Sequence, residues 1–241
     1  MNAGKVEISA GTKEMLGRVS TASISLQLLK RGIRSAFMSG IRPLNPAVCR
    51  FVAEAYTLRF VPMREDLSKP EILADPTYSP RLVIEEVPAG AALVIDARGV
   101  TDVGVVGGIF GIRLKDRGCA AIVTDGSVRD SVEMANCGFP VFCGGVASPA
   151  SLGRHFGADH QRIIGCAGVA VVPGDILVGD EDGVMLVPRA MAEEVARDGV
   201  EQERLETFLS SLVARGRPVV GTYPPNAETR REYDEWVKSQ A

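Results

Sequence analysis

The chain has 241 residues, 46% of them hydrophobic, enough for one sizeable core and little more. Its 27 Lys and Arg against 30 Asp and Glu leave a net charge of −3, which excludes a basic field for holding a phosphate backbone or an acidic membrane. The first twenty residues lack the basic start and apolar run of a secretory signal, and no window approaches about 20 apolar residues, so a cytoplasmic protein without nucleic-acid or membrane partners is expected.

Residues 12–32 carry apolar positions at helical spacing (Met15, Leu16, Ile24, Leu28), interrupted by Ser20-Thr21, a natural cap before a second helix that Gly32 closes. FVAEAYTLRFVP (51–62) is strongly β-prone and ends at Pro62. The polar, proline-bearing stretch from Met63 to Pro80 has no periodicity and is expected to be a long loop or lid. AALVID (91–96) is an apolar run suited to a strand buried on both faces. From Gly104 to Asp130 the order is a glycine-rich turn (GVVGG), a helix closed by Gly118, a buried strand (AAIVTD) and a loop (GSVRD), which reads as a βαβ unit. A short helix from Ser131 to Asn136 and the strand FPVFC follow. Residues 169–188 show three apolar runs separated by turn residues, predicting a compact β-meander. A polar helix is expected from Arg189 to about Arg215. The tail TYPPNAETRREYDEW has too few apolar residues for a core of its own and is expected to pack on the domain or on a neighbouring subunit.

Cys49, Cys119, Cys137, Cys143 and Cys166 form no Cys-x-x-Cys pair and read as buried free thiols. His155 and His160, five apart, are placed on the surface or in loops, and a zinc site is not expected. Gly104, Gly107, Gly108 and Gly111 lie between a strand and a helix, where unpaired backbone N–H groups and the positive end of a helix dipole can receive an anion. Their spacing does not match the dinucleotide fingerprint, although Asp125 stands where a ribose-binding acid would lie. Arg129 and Asp130 follow the next strand and can face the same cavity. Arginine offers a planar fork to a carboxylate, and the adjacent acid can hold Mg²⁺ or Mn²⁺; a solvated helix start is the plainer alternative.

GGIFGIRLKDRGCAAIVTDGSVRD, with 20 residues between Gly108 and Arg129, and VPGDILVGDEDGVMLVP further on resemble the family of the regulator of ribonuclease activity A and the 4-hydroxy-4-methyl-2-oxoglutarate aldolases. With TAS (21–23) and GIRPLNP (40–46) the similarity spans roughly residues 20–200. It implies an α/β fold of the swivelling β/α/β, phosphohistidine-domain-like type: one domain over 1–241, with its core at about 15–200 and a C-terminal helix and tail at 201–241. It also implies homotrimers or homohexamers with sites at subunit boundaries. Under the resemblance Gly107, Gly108, Ile109, Phe110 and Arg129 bind the substrate, Arg129 and Asp130 are catalytic, and Asp130 is the single direct protein ligand to a divalent metal. The implied activity is that of a metal-dependent, class II-type pyruvate aldolase or 2-oxo acid lyase. Such an enzyme cleaves a 4-hydroxy-2-oxo acid or decarboxylates oxaloacetate through a metal-stabilised enolate and releases pyruvate; a protein-binding regulator of ribonuclease activity is the alternative. The chain departs from the family at Gly108, where an acid usually helps to hold metal-bound water. Glu133, Glu203 and Glu206 are candidates to replace it.

Overall fold

The computed structural model describes residues 8–240; Lys5 and the other residues of segment 1–7, together with Ala241, lie outside them. Helices α1 (Ala10–Gly17) and α2 (Thr21–Lys30) start at Ser9 and Ser20, whose hydroxyl oxygens accept from the Thr12 and Ser23 N–H groups. The short strand β1 (Arg42–Pro43) and the long β2 (Phe51–Pro62) precede α3 (Ser79–Glu86) and β3 (Ala91–Asp96). The middle of the chain runs β4 (Gly104–Val106), α4 (Gly108–Asp116), β5 (Ala121–Thr124), β6 (Ser127–Val128), α5 (Ser131–Ala135), β7 (Val141–Cys143) and β8 (Gly145–Val146). Then come β9 (His155–His160), β10 (Ile164–Cys166), β11 (Val169–Val171), β12 (Ile176–Gly179), β13 (Val184–Val187), α6 (Ala192–Ala214) and α7 (Ala227–Ser239).

The fold is mixed α/β. Its main sheet has the order β1-β7-β5-β3-β2-β12-β13, with β9 on the second half of β2. The β2/β3, β3/β5 and β5/β7 pairs are parallel and the flanking pairs antiparallel. Parallel central strands are covered on both faces, which is why AALVID is apolar without alternation. Leu93 and Ile122, neighbours in register and fully buried, each contribute about 1.5–3 kcal/mol. One face carries α3, α4 and α5 over Leu93, Ile95 and Ile122; the other carries β10, β11 and the 38–49 segment over Val94 and Val123. Helices α1, α2 and α6 cover the β12–β13 end. All five cysteines are free; four are buried and Cys137 is half-buried.

Several sequence expectations change. The 63–80 segment is loop over 63–69 and 75–78, but Pro70–Ala74 is a 3₁₀ helix, and Ser79 opens α3 with Pro80 in its first turn, a position where proline's missing N–H costs nothing. Gly104–Val106 is a strand, not part of a turn, and Ser127–Val128, read as loop, is the strand beside it. The meander divides between two sheets, because β11 pairs with β10 while β12 and β13 form the hairpin at the edge of the main sheet. The tail, by contrast, packs on the domain as expected: Tyr233 and Trp236 of α7 lie tilted against Phe208 of α6 and share a small core with Leu205, Leu209 and Leu212. Three apolar residues at helical spacing (Tyr233, Trp236, Val237) suffice once a partner helix supplies the other half.

The histidines are also corrected. Both lie on β9, and His155 is fully buried against Phe60, its ring 5.1 Å away. Burial, reinforced by Arg98, pushes the His155 pKa down to about 4. The folded state therefore keeps this ring neutral while the unfolded chain protonates it near pH 6.5, so stability is lost as pH falls from about 6.5 toward 4. Urea unfolding at pH 7 and pH 5 should show wild type losing about 2 kcal/mol more than His155→Phe. Equal losses would show that His155 carries no such linkage.

Candidate functional site

Two parallel strands of a small sheet, β4-β6-β8, set the geometry. Gly107 follows the carboxyl end of β4 and caps α4; Arg129 follows the carboxyl end of β6 and precedes α5. Because β4 and β6 pair directly, with Gly104 opposite Ser127 and Val106 opposite Val128, the glycine segment and the Arg-Asp pair emerge side by side. The Arg129 N–H donates to the Val106 carbonyl at 3.0 Å, extending the ladder by one residue.

The approach is closer than side chains at the glycines would permit. A Cβ on Gly104 would stand 2.8 Å from Arg129 Cβ and 2.9 Å from its backbone nitrogen; one on Gly107 would stand 2.7 Å from Arg129 Cγ and 2.6 Å from Asp130 Oδ2. Asp130 has φ 53° and ψ 47°, the left-handed conformation that Asp and Asn tolerate better than most residues. Its Oδ2 accepts from the Gly108 N–H at 3.0 Å, and its Oδ1 lies 3.6 Å from Arg129 Nε. The side chains of Arg129 and Asp130 remain 42% and 41% exposed. Ile109 and Phe110 supply first-turn N–H groups ahead of the first helical bond, which runs from the Gly111 N–H to the Gly107 carbonyl. Gly107, Ile109, Phe110, Arg129 and Asp130 all line one cavity of about 310 Å³, together with Arg81. Gly108 is buried behind it.

Position 108 is occupied in a different sense. Its backbone is helical, so positive φ is not the reason for glycine. A Cβ there would stand 2.0 Å from Glu133 Oε2: the carboxylate of Glu133 fills the space into which a side chain at 108 would project. Glu203 and Glu206 are engaged elsewhere. Glu203 Oε1 accepts from both the N–H and the hydroxyl of Ser20, and Glu206 accepts from Gln202. Asp125 is structural, its carboxylate accepting from Ala97 and Gly99 N–H groups at 2.7 and 3.0 Å; burial pushes its pKa up. No three-residue His/Cys/Asp/Glu cluster exists among the described residues, so a divalent ion here would depend on Asp130 with waters and ligand atoms around it. The pair of carboxylates from Asp130 and Glu133 at the α4 terminus fits that mode, which suits a cation that retains waters. Arg81 is a lining residue that the sequence pattern does not single out, because it lies just past the non-periodic 63–80 stretch; Ser79-Pro80 is the available signal for a helix start there.

A mixed α/β body whose small parallel sheet opens a helix N-terminus beside an Arg-Asp pair is the class of structure that emerges. The chain belongs to the RraA-like family: the family model described as Aldolase/RraA matches residues 19–186. A solved structure of Streptomyces coelicolor RraAS2, described as an unusual member of the RNase ES inhibitor RraA protein family, is 31% identical, covers 88% of this chain and 98% of that one, and superposes with a TM-score of 0.74. An uncharacterized protein from Pseudomonas syringae shares the fold, with a TM-score of 0.81 at 24% identity over 92% of this chain and 97% of that one. Among curated proteins, a putative 4-hydroxy-4-methyl-2-oxoglutarate aldolase from Halalkalibacterium halodurans is 34% identical over 119 residues, 49% of this chain and 56% of that protein. Protein DlpA from Legionella pneumophila is 27% identical over 202 residues, 82% of this chain but only 31% of its own length. No helix among the described residues is long and apolar enough to cross a membrane.

The glycine geometry separates two substitutions. Gly108→Ala requires only the flexible end of Glu133 to swing aside and should stay within about 1 kcal/mol of wild type. Gly104→Ala meets backbone and should cost about 1–3 kcal/mol. Chemical denaturation checks the order, and a Gly108→Ala variant less stable than Gly104→Ala would contradict this packing.

Proposed function

We propose that the chain is a divalent-metal-dependent lyase that cleaves a 4-hydroxy-2-oxo acid, or decarboxylates oxaloacetate, and releases pyruvate. The observation that carries this reading is the convergence of Arg129, Asp130 and the first turn of α4 on one cavity. The Arg129 guanidinium would hold the substrate's 2-oxo acid end by charge-assisted hydrogen bonds, and the Ile109 and Phe110 N–H groups would receive its carboxylate in the field of the helix. In the retro-aldol step the 4-hydroxyl passes its proton to water, the C3–C4 bond breaks so that C4 departs as a carbonyl product, and the bond's electrons move to the 2-oxo oxygen; a proton returned from water to C3 then gives pyruvate. Arg129, fixed beside that oxygen, would stabilise its growing negative charge. A bound Mg²⁺ or Mn²⁺, held by Asp130, would supply Lewis-acid stabilisation of the same charge. Glu133, whose carboxylate stands where the family's usual acid would project from position 108, is our candidate for the second carboxylate of the site. None of the described lysines lines the cavity, which favours this chemistry over a Schiff base.

We further propose the swivelling β/α/β fold type for this body, and assembly as a trimer or hexamer that closes the cavity at a subunit boundary. Ile109 and Ile112 on α4 and Val132 on α5 are 81%, 68% and 75% exposed, an apolar surface beside the cavity that a neighbour would cover. The likeness to RraAS2 favours a second reading, a regulator that binds a ribonuclease. Wild type failing to release pyruvate from every 4-hydroxy-2-oxo acid and from oxaloacetate, with Mg²⁺ or Mn²⁺ present, would leave that second reading.

Two further outcomes follow. Asp130→Ala would disturb the α4 contact and place alanine in left-handed backbone, so Asp130→Asn is the cleaner probe; it should keep the fold and lose nearly all pyruvate release. Full activity in Asp130→Asn would reject the metal assignment. Glu133→Gln should weaken Mn²⁺ binding about 10-fold by calorimetry, and an unchanged affinity would remove Glu133 from the site.

A further inference from the structure

The α3–α4 seam holds three arginines and unequal numbers of acids. Arg113 is paired with Glu85 and Asp116, both at 2.6 Å, and Arg117 lies 3.7 Å from the same Glu85. Arg81, on the first turn of α3, has no acidic partner among the described residues. It is half-buried, and its guanidinium carbon lies 5.1 Å from the centre of the Phe110 ring. A guanidinium held over an aromatic face by cation–π attraction keeps N–H donors available, so that it takes a carboxylate with less loss of side-chain freedom.

Arg81 also marks a junction. The cavity that contains Arg129 and a second groove of about 570 Å³ share Arg81, Ile109 and Phe110; the groove continues along Leu73 and Leu82. A small acid held at one end by Arg129 therefore extends toward Arg81 at the other. We infer that Arg81 is a specificity-determining residue that takes a second carboxylate, remote from the 2-oxo group, so that dicarboxylic substrates are preferred over monocarboxylic ones of equal length. This inference rests on the lyase reading for its chemistry, although not for its binding.

Two substrates that differ only at C5 test it: 4-hydroxy-2-oxoglutarate, which carries a carboxylate there, and 4-hydroxy-2-oxopentanoate, which carries a methyl. Wild type should show the higher kcat/KM with the dicarboxylate. Arg81→Met, which keeps an unbranched apolar side chain beside Phe110 and removes the charge, should reduce that preference by about 10- to 100-fold, chiefly through KM, as expected for a hydrogen-bonded charge pair. Arg81→Lys should recover part of it. An equal loss with both substrates would mean that Arg81 only packs, and would overturn the inference. Calorimetric binding of 2-oxoglutarate against 2-oxopentanoate is read in parallel. If wild type turns over neither substrate the lyase reading fails, and the inference still stands or falls on whether 2-oxoglutarate binds more tightly and whether Arg81→Met removes the difference.

Discussion

The close approach of the 104–108 backbone to Arg129 and Asp130 is the constraint on which the site depends. Strands β4 and β6 pair over only two or three residues, too short a ladder to fix two loops by itself. What fixes them is the contact immediately beyond: the Arg129 N–H on the Val106 carbonyl, the Asp130 carboxylate on the Gly108 N–H, and two glycines whose absent side chains let Arg129 lie flat against the main chain. The left-handed conformation of Asp130 belongs to the same arrangement, because it turns the chain from β6 into α5 while its carboxylate meets α4. Strain of this kind persists where surrounding contacts over-determine it.

Charge around α4 follows from that packing. Its N-terminus receives two carboxylates from α5, Asp130 by a direct hydrogen bond and Glu133 in the space beside Gly108, which is the favourable end of the helix dipole for negative charge. Its last turn carries Arg113 and Lys115, the favourable end for positive charge, and Glu85 and Asp116 neutralise Arg113. The cations left facing the cavity are Arg129 and Arg81. A ligand with anionic groups at both ends would complete the balance, whereas a neutral one would leave Arg81 partly desolvated without a partner.

The sequence made the core legible because burial on both faces of a parallel sheet writes itself as uninterrupted apolar runs, as in AALVID and AAIVTD. Arg129 and Asp130 were legible as neighbours of the glycine segment, since successive crossovers bring strand ends to one edge. Less legible were elements whose stability comes from elsewhere. Strands β4, β6 and β8 span two or three residues and exist only because they pair with one another, so GVVGG and GSVRD look like loops. Helix α7 reads as polar because half of its apolar contact surface is on α6. Arg81 stayed hidden because its helix follows a proline-bearing segment with no periodicity, and His155 because a single histidine in HFGADH carries no sign of whether its strand is covered.

Gly108 shows why a departure from a family pattern has to be weighed in three dimensions. Read along the chain, glycine in place of an acid subtracts a charge from the site. In space the carboxylate of Glu133 occupies that volume, three residues after Asp130 and thus one helical turn along α5. A side chain at 108 and the present position of Glu133 exclude each other, since the separation would be 2.0 Å. The glycine is therefore the condition for delivering the acid from the neighbouring helix, and under the proposed function the two positions form one unit: an acid restored at 108 would first have to displace Glu133, and the number of carboxylates at the α4 terminus would increase only where the new charge was tolerated beside Asp130.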